Sequence, residues 1–78
     1  MRLSDLQNKD VISVIDGKKI GNIIDIKIED SGRIEALIVE PNRYIFNVFS
    51  SHQEFDIKWS EIDKIGEDVI LVNMKVQL

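Results

Sequence analysis

The residues best suited to nucleophilic chemistry are three adjacent polar side chains, Ser50, Ser51 and His52. His52 is the only histidine in the chain. A catalytic serine needs a histidine within hydrogen-bond reach and a sharp turn that presents its hydroxyl group, often one flanked by glycine. Adjacent residues rarely meet in that geometry, and no glycine flanks either serine. We therefore expect His52 to be an ordinary loop residue.

A second candidate for chemistry is a set of carboxylates that could hold a cation or act as a general acid–base pair. The set consists of Asp16, Asp25, Glu29 and Asp30. Asp25 and Glu29 lie on the same polar face of an alternating strand, with Lys27 between them. A solvated strand face cannot drive two carboxyl pKa values apart, as acid–base catalysis requires. We expect these carboxylates to be structural, with divalent-cation binding as the alternative.

The composition limits the remaining kinds of site. The chain has no cysteine, and one histidine with carboxylates is a poor donor set for structural zinc. It contains neither of the glycine-rich motifs that cradle phosphates. Ten basic residues are scattered among fourteen acidic ones, and the net charge is −4, which disfavours direct nucleic-acid binding. We expect no enzymatic activity, no metal and no cofactor.

The elements that would position a site are short β-strands, and the 78 residues suffice for a single domain, 1–78. An apolar run at 11–15 ends at Asp16-Gly17, and alternation at 24–28 is followed by the turn Asp30-Ser31-Gly32. Further strands are expected at 33–39, 55–59 and 69–74, with Pro41 marking a strand end. Short helical turns are expected at 3–6 and from Ser60, with Ser60 as the cap. About five to seven short strands in so small a chain predict an all-β, closed or partly open barrel.

Two aromatic features could form binding surfaces. Residues 43–55 contain all three phenylalanines and the only tyrosine. We hypothesise that Tyr44, Phe46 and Phe49 contribute a partner-binding hot spot, because exposed aromatic anchors bury a large area. The alternative is that this segment folds over an open barrel end as core. For Trp59 we expect a core or rim-packing position, rather than a platform for base stacking.

Two predicted strands are apolar on both faces, and such strands are usually covered on both sides. Leu37, Val39, Ile70 and Val72 are therefore candidates for a homodimer interface. The alternative is that they are covered by the N-terminal turn with Leu3 and Leu6, or by the aromatic segment. No secretory signal is evident, and the longest apolar run, 69–72, is far too short to span a bilayer. We expect a cytoplasmic protein without membrane insertion.

Two long segments resemble the PRC-barrel family: DGKKIGNIIDIKIEDSGRIEALIV (16–39) and FDIKWSEIDKIGEDVILV (55–72). This family includes a domain of the photosynthetic reaction-centre H subunit, the C-terminal domain of a ribosome-maturation factor, and small stand-alone members, some associated with sporulation. The matching motifs are structural, because their residues supply turns and close backbone approaches: Asp16, Gly17, Gly21, Gly32 and Gly66. Relatives often have a proline where this chain has Lys58, and their segment before that strand is often rich in glycine.

The resemblance implies a non-catalytic protein-interaction or adaptor module, with a role in cell-development or division machinery. The expected partners are a protein of unknown identity and a second copy of this chain. An alternative implied by the maturation factor is an accessory role in ribosome assembly or RNA metabolism, acting through a ribosomal protein. The acidic charge favours a protein contact in that alternative, because RNA phosphates would be repelled.

Overall fold

The computed structural model describes residues 1–41 and 54–74, and most of them form one antiparallel-rich sheet. The helix α1 (Leu3–Gln7) precedes β1 (Asp10–Ser13), β2 (Lys19–Ile28) and β3 (Ile34–Pro41). After the gap come β4 (Phe55–Lys58), a 3-10 turn at Trp59–Glu61, β5 (Ile62–Ile65) and β6 (Val69–Val72). The described residues are therefore all-β apart from two short helical turns, as the sequence predicts.

The six strands follow the order β4-β3-β2-β1-β6-β5. The meander β1-β2-β3 lies in the centre, and the C-terminal strands pair with both of its edges. β4 is antiparallel to β3, whereas β6 is parallel to β1, with Val11 opposite Ile70. Strands from the two ends of the described chain therefore meet in the middle of the sheet.

The connection between β4 and β5 requires the sheet to curl. These two strands are the outermost of the six, yet only the three residues Trp59–Glu61 separate them. Four Cα–Cα steps span at most about 15 Å, whereas six flat strands would place the two edges about 24 Å apart. The ladders among the described residues do not include a β4–β5 pairing, so the curled sheet is not shown to close into a barrel.

The core lies on the concave face of the sheet and is almost entirely aliphatic. Its members come from α1 and five strands: Leu6, Val11, Ile20, Ile23, Leu37, Val39, Ile57, Ile70 and Val72. Ser13 is the one buried polar residue among those described, and its hydroxyl donates to the Met74 carbonyl and accepts from the Ile15 N–H. This satisfied hydroxyl costs little to bury, because its lost water contacts are replaced.

Several boundaries differ from the sequence prediction. β1 ends at Ser13, and Val14 and Ile15 lie in the following turn, 43% and 53% exposed. β5 was not predicted, because the charged pair Asp63-Lys64 leaves it without an alternating apolar pattern. Register shifts interrupt the alternation of β2, so that Ile26 packs on the core while Ile28 is exposed beyond it.

The short helical segments also differ from the prediction in one detail. The helix at 3–6 is confirmed, and the Asp5 carboxylate accepts from the Arg2 N–H at its start. The second turn begins at Trp59 with Lys58 as the N-cap, so Ser60 lies inside it and is not the cap. There the Glu61 carboxylate accepts from the Lys58 N–H at 3.0 Å. Within residues 1–41 and 54–74, no helix is long and apolar enough to cross a membrane.

Candidate functional site

A groove of about 820 Å³ lies on the outer face of β2, β3 and β4, where the β2–β3 hairpin approaches the 3-10 turn. We call it the Trp59 groove. Ala36 is buried, whereas the charged residues that line the groove are exposed or half-buried. Its lining residues come from four consecutive regions of the fold: Lys27, Glu29, Arg33, Ile34, Glu35, Ala36, Asp56, Lys58, Trp59, Ser60 and Glu61.

Trp59 lines this groove and is 39% exposed, so of the expected core or rim-packing positions it occupies the rim and not the core. Strand alternation would place position 59 on the same face as Ile57, which is fully buried. The strand ends at Lys58, however, and the 3-10 turn that begins at Trp59 replaces the two-residue period with a three-residue one. The change of backbone conformation explains why Trp59 does not follow Ile57 into the core.

An ion pair spans the sheet beside the indole. The Lys27 ammonium on β2 donates to the Asp56 carboxylate on β4 at 2.6 Å, across the intervening strand β3. In the ladder, Ala36 lies opposite Lys27 on one side and Lys58 on the other. Two strand spacings amount to about 9.6 Å, so the long lysine stem is needed to bring the charges together over β3.

This arrangement covers the second apolar face of β3. Ala36 is 2% exposed although it belongs to the outer face. Because Lys27 lies opposite Ala36 in the ladder and its ammonium reaches Asp56 beyond β3, we infer that the lysine stem passes over this small side chain. The hydrogen bond to Asp56, and then the attraction of its charge, raise the pKa of Lys27 above its ordinary value. Lys27 is therefore a cation at neutral pH and a poor general base.

Two further cations in the groove have no fixed partner. Within residues 1–41 and 54–74, the side chains of Arg33 and Lys58 form no hydrogen bond or ion pair. Glu29 and Glu35 are exposed on the same rim, at the ends of β2 and β3 that meet in the hairpin. The groove therefore combines an accessible indole with unpaired charges of both signs, which suits the binding of another molecule better than proton transfer.

The four residues assigned to a dimer interface lie elsewhere, and this assignment needs correction. Leu37, Val39, Ile70 and Val72 are each fully buried inside the single chain. They pack in one core with Leu6 of α1. The alternative, in which Leu3 and Leu6 of the N-terminal turn cover these strands, is therefore confirmed for Leu6. Leu3, by contrast, is 37% exposed. Whether the chain forms a dimer through another surface stays a prediction.

The structural turns agree with the sequence. Gly17 and Gly32 have positive φ values of 72° and 91°, and the Asp16 carboxylate accepts from the Lys18 N–H at 3.0 Å. Gly21 instead allows a close approach, because a Cβ there would lie 2.1 Å from the Glu40 carbonyl oxygen. Gly66 lies in the β5–β6 turn, where the Lys9 ammonium donates to the carbonyls of Gly66 and Glu67.

The other chemical candidates are not brought together. The Asp25 carboxylate accepts from the Ile26 N–H. In the part of the chain that the structure describes, no group of three or more histidine, cysteine or acidic residues could hold a metal ion. Tyr44, Phe46, Phe49 and the Ser50-Ser51-His52 cluster lie outside the described residues, so the proposed partner contacts there stay predictions.

Sequence reasoning missed the groove because its residues come from three separate stretches of the chain, 27–29, 33–36 and 56–61. The one available signal is the hydrophobic Trp59 directly before Ser60-Glu61, a pair that predicts the start of a helical turn. A strand that ends at this point releases the next residue from the inward–outward alternation. No comparable signal identified Arg33, whose neighbours form a common hairpin turn.

Comparison with known proteins supports the assignment made from the motifs. The chain is 45% identical over 73 residues to the probable sporulation protein YlmC of Bacillus subtilis strain 168, covering 92% of this chain and 90% of that protein. It is 35% identical over 71 residues to an uncharacterized protein of Clostridium acetobutylicum, covering 91% and 82% of the two chains. The uncharacterized protein YmxH of Bacillus subtilis is 27% identical over 81 residues, covering 100% and 94%.

A family model for the PRC-barrel domain matches residues 1–78, the full length of the sequence. The glycine turns, the central meander and the strand after Gly66 are the features that the quoted motifs specify. The resemblance seen in the sequence is thus confirmed, and this chain belongs to the PRC-barrel family.

Proposed function

We propose that this chain is a non-catalytic protein-interaction module that acts in spore formation, with the Trp59 groove as a contact surface. The observation that supports this proposal is that one groove is lined both by the exposed Trp59 and by Arg33, whose guanidinium has no partner among the described residues. Tryptophan and arginine are the residue types most enriched among those that dominate binding energy at protein interfaces. The link to spore formation comes from the likeness to a probable sporulation protein.

The electrostatics of the groove favour binding over catalysis. Lys27 and Asp56 neutralise each other at 2.6 Å, and both side chains are about half exposed. A general base needs a pKa near the working pH, whereas the hydrogen bond to Asp56 raises the pKa of Lys27 further from neutrality. The same ion pair can hold the groove floor in place, because it connects β2 to β4 across β3.

The aromatic segment is part of the same proposal. Tyr44, Phe46 and Phe49 remain our candidates for a second partner contact, since large aromatic side chains lose little rotamer freedom when they bind. A module with two contact surfaces could connect two proteins, which is what an adaptor does.

Site-specific crosslinking in cells tests the role of the groove. A photoreactive phenylalanine analogue would replace Trp59, and the variant would be expressed in sporulating Bacillus subtilis. The matched control carries the same analogue at Val14, which is 43% exposed and is not a lining residue of the groove. We expect a discrete protein adduct from position 59 that is absent from position 14 and is weakened by Arg33→Ala.

Two outcomes would contradict the proposal. One is the absence of any protein adduct at position 59 in cells that accumulate the folded variant. The other is an identical set of adducts from both positions, because a specific surface must discriminate between them.

A further inference from the structure

We infer that the molecule bound at the Trp59 groove is a second copy of this chain, related to the first by a two-fold axis. This inference rests on the proposed role of the groove as a protein-binding surface and identifies the partner at that surface. It replaces the buried set Leu37, Val39, Ile70 and Val72 with an exposed one as the basis for a dimer.

The charge pattern of the rim indicates this partner. Arg33 and Lys58 are cations with no ion-pair partner in the described chain, and Glu29 and Glu35 are exposed anions on the same rim. A strongly acidic partner would be attracted to the first pair and repelled by the second, and a basic partner would meet the reverse. A surface with both signs is instead complementary to a rotated copy of itself, as a two-fold interface requires.

The four rim charges form no ion pair within the described chain, so they are available to a facing copy. Among residues 1–41 and 54–74, the one ion pair inside the groove joins Lys27 to Asp56, and it does not use these four residues. In a two-fold interface, each contact between a residue and its counterpart occurs twice. Cations on one rim can therefore satisfy anions on the facing rim in two equivalent places, while the Trp59 indoles supply the apolar area.

The size of the surface sets the expected affinity. Eleven residues line the groove, fewer than the roughly 20–30 per partner of a standard stable interface. Rim ion pairs add little affinity but discriminate strongly against repulsive partners. We expect a dissociation constant of roughly micromolar magnitude or weaker.

Charge-segregated variants test this inference without requiring knowledge of which rim residues pair. The first variant, Arg33→Glu with Lys58→Glu, has anions at all four rim positions. The second, Glu29→Lys with Glu35→Lys, has cations at all four. Each should lose self-association by at least tenfold, because like charges then face each other, whereas an equimolar mixture should form a heterodimer.

The mixture is informative because net charge alone does not favour formation of the heterodimer. The chain has a net charge of −4, and each reversal changes that charge by two, so the variants have charges of −8 and 0. The matched control is Arg2→Glu with Lys64→Glu, which also reaches −8 through exposed residues that do not line the groove. This control should retain wild-type self-association.

Sedimentation velocity between about 1 and 500 µM, a range that brackets micromolar affinity, measures association, and the single tryptophan reports the site. The wild type should shift from monomer to dimer with rising concentration, and its emission should move to shorter wavelength as Trp59 becomes buried. A circular-dichroism melt of each variant confirms that it is folded.

Three results would overturn the inference: a wild type that stays monomeric throughout, dimers that the segregated variants preserve, or a mixture that fails to associate. The crosslinking experiment keeps the two proposals distinguishable. An adduct with the mass of two copies of this chain supports both, whereas an adduct with a different protein supports the proposed function and overturns the dimer.

Discussion

Among single residues, the glycines of this chain serve different purposes. Gly32 follows the β2 strand at φ 91°, where its N–H donates to the Glu29 carbonyl and closes the hairpin. Gly21 has no unusual φ but lies inside β2, directly against the backbone of Glu40 on β3. The first glycine is needed for its conformation and the second for its lack of a side chain.

Gly21→Ala should therefore destabilise the domain although alanine changes the volume by only one methyl group. The added Cβ would lie 2.1 Å from the Glu40 carbonyl oxygen and 2.9 Å from its carbon, so the β2–β3 ladder must move. We expect a loss of about 1–3 kcal/mol in the free energy of unfolding, the usual range for overpacking. Urea denaturation followed by circular dichroism measures it.

Gly66→Ala is the matched control, because the nearest atoms to its new Cβ belong to Val69 at 3.4 Å. It should change the free energy of unfolding by about 0.5 kcal/mol or less. Equal effects of the two substitutions would show that close packing at Gly21 is not what requires glycine there.

Among the strands, β3 is the central feature, because it is apolar on both faces. Leu37 and Val39 face the core, whereas Ala36, on the outer face, is 2% exposed and lies opposite Lys27 in the ladder. The neighbouring strands thus supply a charged cover for an apolar strand. A lysine can do this because its stem is apolar and only its terminus needs solvent or a partner.

The pH dependence of stability tests the ion pair. The pKa of Lys27 is raised in the folded state, chiefly by the hydrogen bond to Asp56, above the ordinary value of 10.5. A raised pKa means that the stabilisation is fully present below about pH 10.5 and is lost as the pH rises through the folded value. Lys27→Met, which keeps most of the stem over β3, should lower the melting temperature at pH 7 to 10, and the difference should disappear at more alkaline pH.

Comparing Lys27→Ala with Lys27→Met separates the effect of the ammonium charge from that of the apolar lysine stem. It removes the stem as well, so it should remain less stable than Lys27→Met even above the folded pKa of Lys27. A melting-temperature difference between wild type and Lys27→Met that persists unchanged to pH 12 would contradict a role for the ammonium charge.

The 3-10 turn gives two nearby side chains opposite surroundings. Ile57 is fully buried, whereas Trp59 is 39% exposed only two residues later. Ile57→Ala should cost about 2–5 kcal/mol of unfolding free energy. Trp59→Ala should cost less than Ile57→Ala despite the larger side chain, because its surface is partly solvated in the folded state. Thermal melts of both variants provide the measurement. A larger loss of stability for Trp59→Ala than for Ile57→Ala would show that Trp59 acts as a core residue.

In the whole molecule, the C-terminal strands bind to both edges of an N-terminal meander. β4 pairs with β3, and β6 pairs in parallel with β1. Residues 10–13 therefore pair with residues 69–72, which are far from them in the sequence. One aliphatic core connects them all. We therefore expect a single cooperative unfolding transition rather than separate melting of the hairpins.

Ile70→Ala tests this cooperativity. The substitution should lower the free energy of unfolding by about 2–5 kcal/mol, out of the roughly 4–12 kcal/mol expected for a domain of this size. Amide hydrogen exchange should then accelerate in β2 and β3 as well as in β6, because all three share the core. Ile15→Ala, at an exposed turn position, is the control. Acceleration confined to β5 and β6 would contradict a single cooperative unit.

Local sequence patterns predicted the turns, the family and every strand except β5. Local chemistry was enough for these: alternation for β2 to β4, positive φ at Gly17 and Gly32, and a proline at the end of β3. It was also enough to identify the aliphatic core residues as buried, although not to decide whether one chain or two would bury them. The structure shows that the curled sheet of one chain buries Leu37, Val39, Ile70 and Val72 together with Leu6.

Three features depend on the folded sheet: the exposure of Trp59, the pairing of Lys27 with Asp56, and the position of β6 beside β1. The pairing of Lys27 with Asp56 depends on three adjacent strands, and the parallel β1–β6 ladder joins residues about sixty positions apart. Such relations depend on register and curvature, which local propensity does not encode. The groove exists for the same reason: a short turn brings two sheet edges together and leaves one aromatic side chain outside the core.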